Sequence, residues 1–450
     1  MKPALILFGN CHAVTLFHVF RERHEELRDT FTLGLFRRGS NDFFASDDVS
    51  PEEALSRCVL FLRQKTFWDD PFPFDEAIPA SCRIVRYPML SCELLWPSYM
   101  DPPKPLPFNI DSNRRRSHGD RLLHSLLRRN LPPRQTLADY LATDLHQWVD
   151  LDRARELYFE KLRHLDREVD IPVADFIEAN FQHRQLFVDS FHPHHLLLLH
   201  MAYRALQAGG LDIDSHIDEA PIMDLSVTHP IHPQVIDHFG LTWVSSSSRY
   251  GFFSPKPYLT NLYDDGYQTK EAELGFVAFL RKHLGLPDAL AYTGEGSAAS
   301  HLAALEEELR ECQNLTPHPG LSSALENWRA QILTALGDSH LFLGNRSQAM
   351  SRYQEALRAD PGYYPLTKSL LHLLMGLDRK EQALRVITTF MDGPGFINLS
   401  IQEWVVLAET VLGLYNLLMQ ELLDAGDATG ARACRQRFER LFPRLGLAEG

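Results

Sequence analysis

The stretch Ala4-Leu5-Ile6-Leu7-Phe8-Gly9-Asn10-Cys11-His12-Ala13-Val14 decides how the rest of the chain is read. A short apolar run ends in Gly-Asn, and the pattern then changes period. Val14, Phe17 and Phe20 fall toward one face, and Arg21, Glu22 and His24 toward the other. An unbroken apolar run marks a strand buried on both sides, and the amphipathic stretch after it is a helix laid on the sheet. The chain therefore opens as an α/β domain. Cys58-Val59-Leu60-Phe61-Leu62 and Arg83-Ile84-Val85-Arg86-Tyr87 are the next strands. Residues 97–117 carry several prolines and end in Arg114-Arg115-Arg116, which predicts a long loop. Helical patterning fills 119–182, a further helix runs from near His194 to Ala208, and 211–275 is mixed and loop-rich.

The chain has 450 residues, 44% of them hydrophobic and 23% charged, which predicts two or three folded domains and excludes wholesale disorder. Its formal charge of −14 argues against a protein that coats nucleic acid or anionic membrane. A local basic pocket is still compatible with that total. No run approaches the length of uninterrupted apolar sequence that spans a bilayer, and the N-terminal apolar run is too short for a secretory signal. Six scattered cysteines without a Cys-x-x-Cys pair fit reduced thiols, so a cytoplasmic location is expected. Twenty-one histidines leave room for histidine chemistry or metal binding.

The C-terminal part has a different texture. Gly294-Glu295-Gly296-Ser297-Ala298-Ala299-Ser300 and Thr316-Pro317-His318-Pro319-Gly320 read as breaks. Beyond them Leu336-Gly337, Gly344, Ala349, Tyr353, Ala356 and Pro361 fall at the spacing of a tetratricopeptide repeat. Leu370 and Ala383 repeat Leu336 and Ala349, and Gly426, Ala431 and Pro443 form a weaker third copy. The expected organisation is a catalytic α/β domain over 1–290, a linker over 291–320 and an all-α, tetratricopeptide-like domain over 321–450 that would bind a protein partner. Gly337-Asp338-Ser339 spells a serine-esterase motif, but it lies inside a repeat helix rather than at a strand-to-helix turn and is set aside.

Two constellations could carry chemistry. Cys11 follows a buried strand and starts a helix, where the helix dipole and free backbone N–H groups favour a thiolate and could hold an oxyanion. Gly9 permits the turn, and Asn10 could add a donor; the plain alternative is a small cysteine packed under the sheet. The second is Asp189-Ser190-Phe191-His192-Pro193, just after the apolar run Leu186-Phe187-Val188. Asp-x-x-His is the spacing by which SGNH hydrolases supply an orienting carboxylate and a base. Gln64, after the second strand, is a candidate oxyanion donor or substrate contact, the plain alternative being a solvent-facing loop residue. His192, His194, His195, His183 and His200, with His229 and His232, invite a metal reading, yet no carboxylate or cysteine spacing completes a zinc motif, so no metal is assigned.

The chain resembles the WcbI-type polysaccharide biosynthesis proteins. The resemblance rests on Phe8-Gly9-Asn10-Cys11-His12-Ala13, where that family usually shows Gly-Asn-Cys-Gln, and continues through Leu62-Arg63-Gln64, Tyr87-Pro88 with Trp96-Pro97, and Gly119-Asp120. Arg167-Glu168 leading into Asp175-Phe176-Ile177, then Leu186-Phe187-Val188 before His192-Pro193, complete it over residues 4–270. It implies an SGNH/flavodoxin-like parallel sheet with extra helices. It also implies coenzyme A or acetyl-coenzyme A as donor and O-acetylation of a sugar hydroxyl, with Cys11 as nucleophile, His192 as base and Asp189 as its orienter. Gly9, Asn10, His12 and Gln64 would serve the oxyanion and substrate. Arg114, Arg115, Arg116 and Arg121 would grip the cofactor's phosphates. The same residues would serve a cysteine-dependent esterase, and a third reading is an inactive core whose repeats act as a scaffold.

Overall fold

The computed structural model describes residues 2–39, 42–66, 72–100, 119–211, 230–245, 248–253, 270–286, 289–290, 298–393, 396, 399, 401–439 and 441. A five-stranded sheet is built from β1 (Ala4–Gly9), β2 (Thr32–Arg37), β3 (Phe43–Ala45), β4 (Cys58–Lys65) and β5 (Arg83–Pro88), in the order β3-β2-β1-β4-β5. Only the edge strand β3 runs antiparallel. Every residue of the central strand β1 is buried. Leu5 and Leu7 point into the larger core beneath α1 (Cys11–Arg23), while Ala4, Ile6 and Phe8 join Ala54 and Leu55 of α3 (Pro51–Ser56) on the opposite face. Between them α2 (Glu25–Thr30) leads into β2.

Strands β2 and β3 are absent from the sequence reading. Thr32-Leu33-Gly34-Leu35-Phe36 is interrupted by Gly34, which looks like a strand breaker in isolation. In the fold Gly34 allows a close approach: a Cβ there would stand 3.1 Å from the Phe43 ring and 3.2 Å from Ile6.

The chain leaves β1 toward β2 on one side and returns to β4 on the other. The strand order thus reverses beside β1, and the crevice at the carboxyl ends of β1 and β4 is where such sheets bind ligands. Two short pairs follow, β6 (Tyr99–Met100) with β7 (Gly119–Asp120) and β8 (Tyr250–Phe253) with β9 (Lys270–Leu274). Residues 101–118, including Arg114, Arg115 and Arg116, lie outside the described residues, as do His229 and Pro443.

Helices α4 (Arg121–Leu127), α5 (Pro133–Ala142), α6 (Leu151–Asp166), α7 (Ala174–Asn180), α8 (His195–Ala208), α9 (Pro233–Phe239) and α10 (Phe276–His283) follow, of which α8 packs on α1 and β5. The expected linker over 291–320 is corrected by α11 (Ala298–Asn314), which places Leu305, Leu309 and Cys312 as an i, i+4, i+7 stripe in the core. Glu308 of this helix, also buried, accepts from Trp328 Nε1 at 3.0 Å and pairs with Arg281, whose guanidinium lies over the Trp328 ring. A flexible connection would not bury such a cluster. One apolar core runs continuously from the sheet into the C-terminal helices.

Those helices are α12 (Ser322–Phe342), α13 (Arg346–Ala359), α14 (Tyr364–Gly376), α15 (Lys380–Asp392), α16 (Ile401–Asp424) and α17 (Ala428–Glu439). They pack as pairs, α12 on α13, α14 on α15 and α16 on α17. Gly337 lets α13 approach, since a Cβ there would meet the Tyr353 ring at 2.3 Å, and Tyr353 Oη donates to Asp338 Oδ1 at 2.5 Å. Leu336, Ala349, Ala356, Leu370 and Ala383 are all buried at these junctions. One helical stretch, Glu403–Asp424, is long and apolar enough by length and composition to cross a membrane, a test that core helices also pass. It sits on α15 and α17, burying Leu407, Val411, Leu414 and Leu418.

Candidate active site

The site begins where β1 stops. Asn10 adopts extended backbone geometry and caps α1, its Oδ1 accepting from His12 N at 3.0 Å. This fixes Cys11 as the first residue of a 13-residue helix, half-buried and free of any disulfide. Gln64, at the end of β4 and 1% exposed, reaches across: its Oε1 accepts from Asn10 N at 2.8 Å. The strands approach so closely that a Cβ on Gly9 would stand 2.5 Å from Gln64 Oε1 and 2.9 Å from Ala13 Cβ. Gly9 is therefore dictated by packing.

Gln64 Nε2 donates to His12 Nδ1 at 3.2 Å, so the other ring nitrogen carries the proton and donates to the Phe191 carbonyl at 2.9 Å. Burial lowers His12 to about 4, despite the hydrogen bond to Phe191, so the ring is neutral at physiological pH. Both His12 nitrogens and both ends of the Gln64 amide are engaged within the protein. His12 and Gln64, expected at the oxyanion or substrate, are buried here and act as struts between β1, β4 and the Phe191 turn. The oxyanion reading of the backbone narrows too, because the amides of Asn10 and His12 are already bonded.

The second half of the site is a tight turn ahead of α8. Val188 N donates to the His192 carbonyl at 2.9 Å and His194 N to the Leu186 carbonyl at 2.8 Å. Inside the turn Asp189 Oδ1 accepts from the backbone N–H groups of Phe191 and His192 at 2.8 and 2.9 Å. The same carboxylate holds His192 Nδ1, at 2.9 Å from Oδ1 and 2.8 Å from Oδ2. The Ser190 carbonyl accepts from Cys92 N at 2.7 Å, pinning the turn to the segment after β5. Asp189 is buried, whereas the His192 side chain is 43% exposed and so reachable from solvent.

His192 also hydrogen-bonds Cys11, and with Nδ1 committed to Asp189 that bond falls to Nε2. Burial opposes the charged ring, but the hydrogen bonds to Asp189 and Cys11 and their negative charge outweigh it and raise His192 to about 10. Sulfur, imidazole and carboxylate thus form a hydrogen-bonded chain, although Cys11 and His192 lie 181 positions apart in sequence (192 − 11). The His12–Phe191 hydrogen bond joins the neighbour of Cys11 to the neighbour of His192.

Two groups at this crevice were not singled out as site residues. Arg38 follows β2, its N–H donating to the Gly9 carbonyl at 2.8 Å, and its guanidinium lies over the Phe8 ring and donates to Thr66 Oγ1 at 2.5 Å. Tyr87, at the end of β5, is fully buried; burial pushes its hydroxyl up, with Arg38 opposing and Cys11 reinforcing. Both charges therefore act on one buried hydroxyl. Recognising β2 would have exposed Arg38, since the residue after a parallel strand faces this crevice.

Arg121 is exposed at the start of α4. The remaining histidines do other work. His200 stacks on Phe176, and His183 meets Thr242 Oγ1. Burial and the neighbouring His195 lower His194 to about 3. Among the described residues, no group of three His, Cys, Asp or Glu side chains is placed to hold a metal.

Residues 4–213 match the family model of the polysaccharide biosynthesis enzyme WcbI. The match takes in the whole sheet, Cys11, the Asp189–His192 turn and α8, and ends short of the 4–270 span expected from the motifs. A solved structure of WcbI, described as the native protein without a disulfide bond between coenzyme A and a cysteine, is 13% identical. Its TM-score is 0.42, and the alignment covers 79% of this chain and 99% of the WcbI chain. No curated protein matches by sequence.

Proposed function

We propose that the protein is a cysteine-dependent acyltransferase that moves an acetyl or other acyl group from a coenzyme A thioester to a hydroxyl of a glycan or polysaccharide precursor. The observation that carries this reading is Cys11 at a helix start, hydrogen-bonded to a histidine that a buried aspartate holds by Nδ1. The match of residues 4–213 to the family model of the polysaccharide biosynthesis enzyme WcbI supports the acceptor class.

The charge arrangement sets the order of proton movements. His192 begins as an imidazolium facing Cys11 Sγ, the pairing that activates a sulfur nucleophile. Sγ attacks the thioester carbonyl, the C–S bond of the donor breaks, and His192 gives its proton to the departing thiolate. Once Cys11 is acylated it can no longer supply the negative charge and hydrogen bond that raised His192. The neutral imidazole then accepts the proton of the acceptor hydroxyl as its oxygen attacks the acyl carbon, and Sγ leaves. Asp189 keeps Nδ1 protonated throughout, so Nε2 does the exchanging. We assign the Asn10 Nδ2 group to the oxyanion, since its Oδ1 caps the helix; one such donor is worth about 3–4 kcal/mol. Arg121 and Arg114, Arg115 and Arg116 are the groups we assign to the donor's phosphates.

The C-terminal helix pairs are proposed as a tetratricopeptide-like domain that binds a protein partner, in a cytoplasmic enzyme. The test offers the protein acetyl-coenzyme A, with and without a hydroxyl acceptor, and separately a simple ester. Acceptor-dependent release of coenzyme A, lost in Cys11→Ala, supports the transferase. Ester cleavage without thioester consumption replaces it with an esterase, and neither activity in a folded protein leaves the scaffold reading.

A further inference from the structure

At the opposite end of the sheet, two thiols that the proposed reaction does not use lie together. Cys58 is the first residue of β4, and Cys82 sits in the turn just before β5, where its N–H donates to the Pro79 carbonyl at 2.8 Å. Their sulfurs are 3.4 Å apart, and neither is in a disulfide. Cys58 is 2% exposed, beneath the apolar cluster of Ala4, Ile6, Phe8 and Phe61, whereas Cys82 is partly open to solvent. Chance placement of a lone buried cysteine needs no explanation, but two thiols in contact, one of them accessible, form a redox couple.

We propose that Cys58 and Cys82 are an oxidisable pair, converted to a disulfide by a hydroperoxide, with Cys82 as the attacking thiol and Cys58 as the resolving one. The assignment of roles follows from exposure and from the shared hydrogen bond. That bond to Cys82, then burial, push Cys58 up, while the same contact lowers Cys82. Cys82 sulfur attacks the peroxide, an S–O bond forms and the O–O bond breaks, releasing water from hydrogen peroxide once the leaving oxygen is protonated. The Cys58 thiol then attacks the Cys82 sulfenic sulfur. The S–S bond forms, the S–O bond breaks, and hydroxide leaves with the proton of Cys58 as a second water. The product ties the start of β4 to the approach of β5, two neighbours in the sheet whose far ends carry Gln64 and Tyr87.

The test treats the full-length protein with hydrogen peroxide, removes the peroxide, blocks remaining thiols with iodoacetamide in denaturant so that buried Cys58 is reached, and maps peptides without reduction. The expected result is a Cys58–Cys82 cross-linked peptide lighter by two hydrogens than the reduced pair, and loss of alkylation at both positions. In Cys58→Ser, Cys82 is instead trapped by dimedone as a sulfenic acid. The wild-type cross-link should also raise the melting temperature, a shift that dithiothreitol reverses and Cys58→Ser lacks. Full alkylation of Cys58 and Cys82 at a peroxide dose that consumes Cys11 would overturn the proposal. So would a cross-link joining either one to another cysteine.

Discussion

Replacing His12 by alanine isolates the link between the nucleophile and its base. The ring is buried and bridges Gln64 Nε2 at 3.2 Å and the Phe191 carbonyl at 2.9 Å. Its removal orphans both partners, and a buried polar group without a partner costs about 1–3 kcal/mol. The variant should therefore lose about 2–6 kcal/mol, against about 5–15 kcal/mol for a domain of ordinary stability. Catalysis should suffer separately. The α1 start and the Asp189–His192 turn are tied side to side through this ring, and a misplacement of about 1 Å between reacting groups costs about 10²-fold in rate. His12→Gln offers an amide donor and acceptor at the same place, and the resembling family usually carries Gln there. It should recover activity to within about tenfold. The assay pairs urea unfolding with the rate of Cys11 alkylation by iodoacetamide across pH, and with acyl transfer. A folded His12→Ala protein with the wild-type alkylation profile and turnover would refute the strut. So would a stable His12→Gln protein as inactive as the alanine variant.

Further perturbations test other parts of the account. Asp189→Asn removes the carboxylate that holds His192 Nδ1 and should cost about 10³–10⁴ in turnover, by analogy with the effect of mis-set tautomers. It should also flatten a stability slope. His192 is raised from 6.5 to about 10 on folding, so the folded state binds the extra proton between those values. The wild-type stability is thus full below pH ~6.5 and falls as pH rises toward ~10, a decline that urea melts should show and Asp189→Asn should lose. Gly9→Ala forces a Cβ against Gln64 and Ala13 and should cost about 1–3 kcal/mol, with slower Cys11 alkylation in the same sample. Gly337→Ala drives a Cβ into the Tyr353 ring and should destabilise by a similar ~1–3 kcal/mol while leaving Cys11 reactivity unchanged, as read by the same two assays.

The strand-then-helix opening, β4, β5, α8 and the nearness of Cys11, His192 and Asp189 are legible because each is written in a local signal: an apolar run, a change of period, or a three-residue spacing. Strand β2 was hidden by Gly34, whose purpose is visible only when Phe43 and Ile6 are seen against it. Arg38 was lost with it. A single sequence shows that polar residues such as His12 and Gln64 gather at a site but not that they pair with one another. The small N-terminal residues of α11 resemble a linker; the stripe of Leu305, Leu309 and Cys312 carries the opposing signal.

The central claim is that Cys11 carries the acyl group. Mixing the protein with acetyl-coenzyme A, quenching in acid within the first turnover and mapping peptides by mass spectrometry tests it directly. The account predicts an acetyl thioester on the Cys11 peptide that disappears when a hydroxyl acceptor is added, and that forms but discharges slowly in Asp189→Asn. Acceptor acetylation proceeding with Cys11 unmodified, or undiminished in Cys11→Ala, would contradict it.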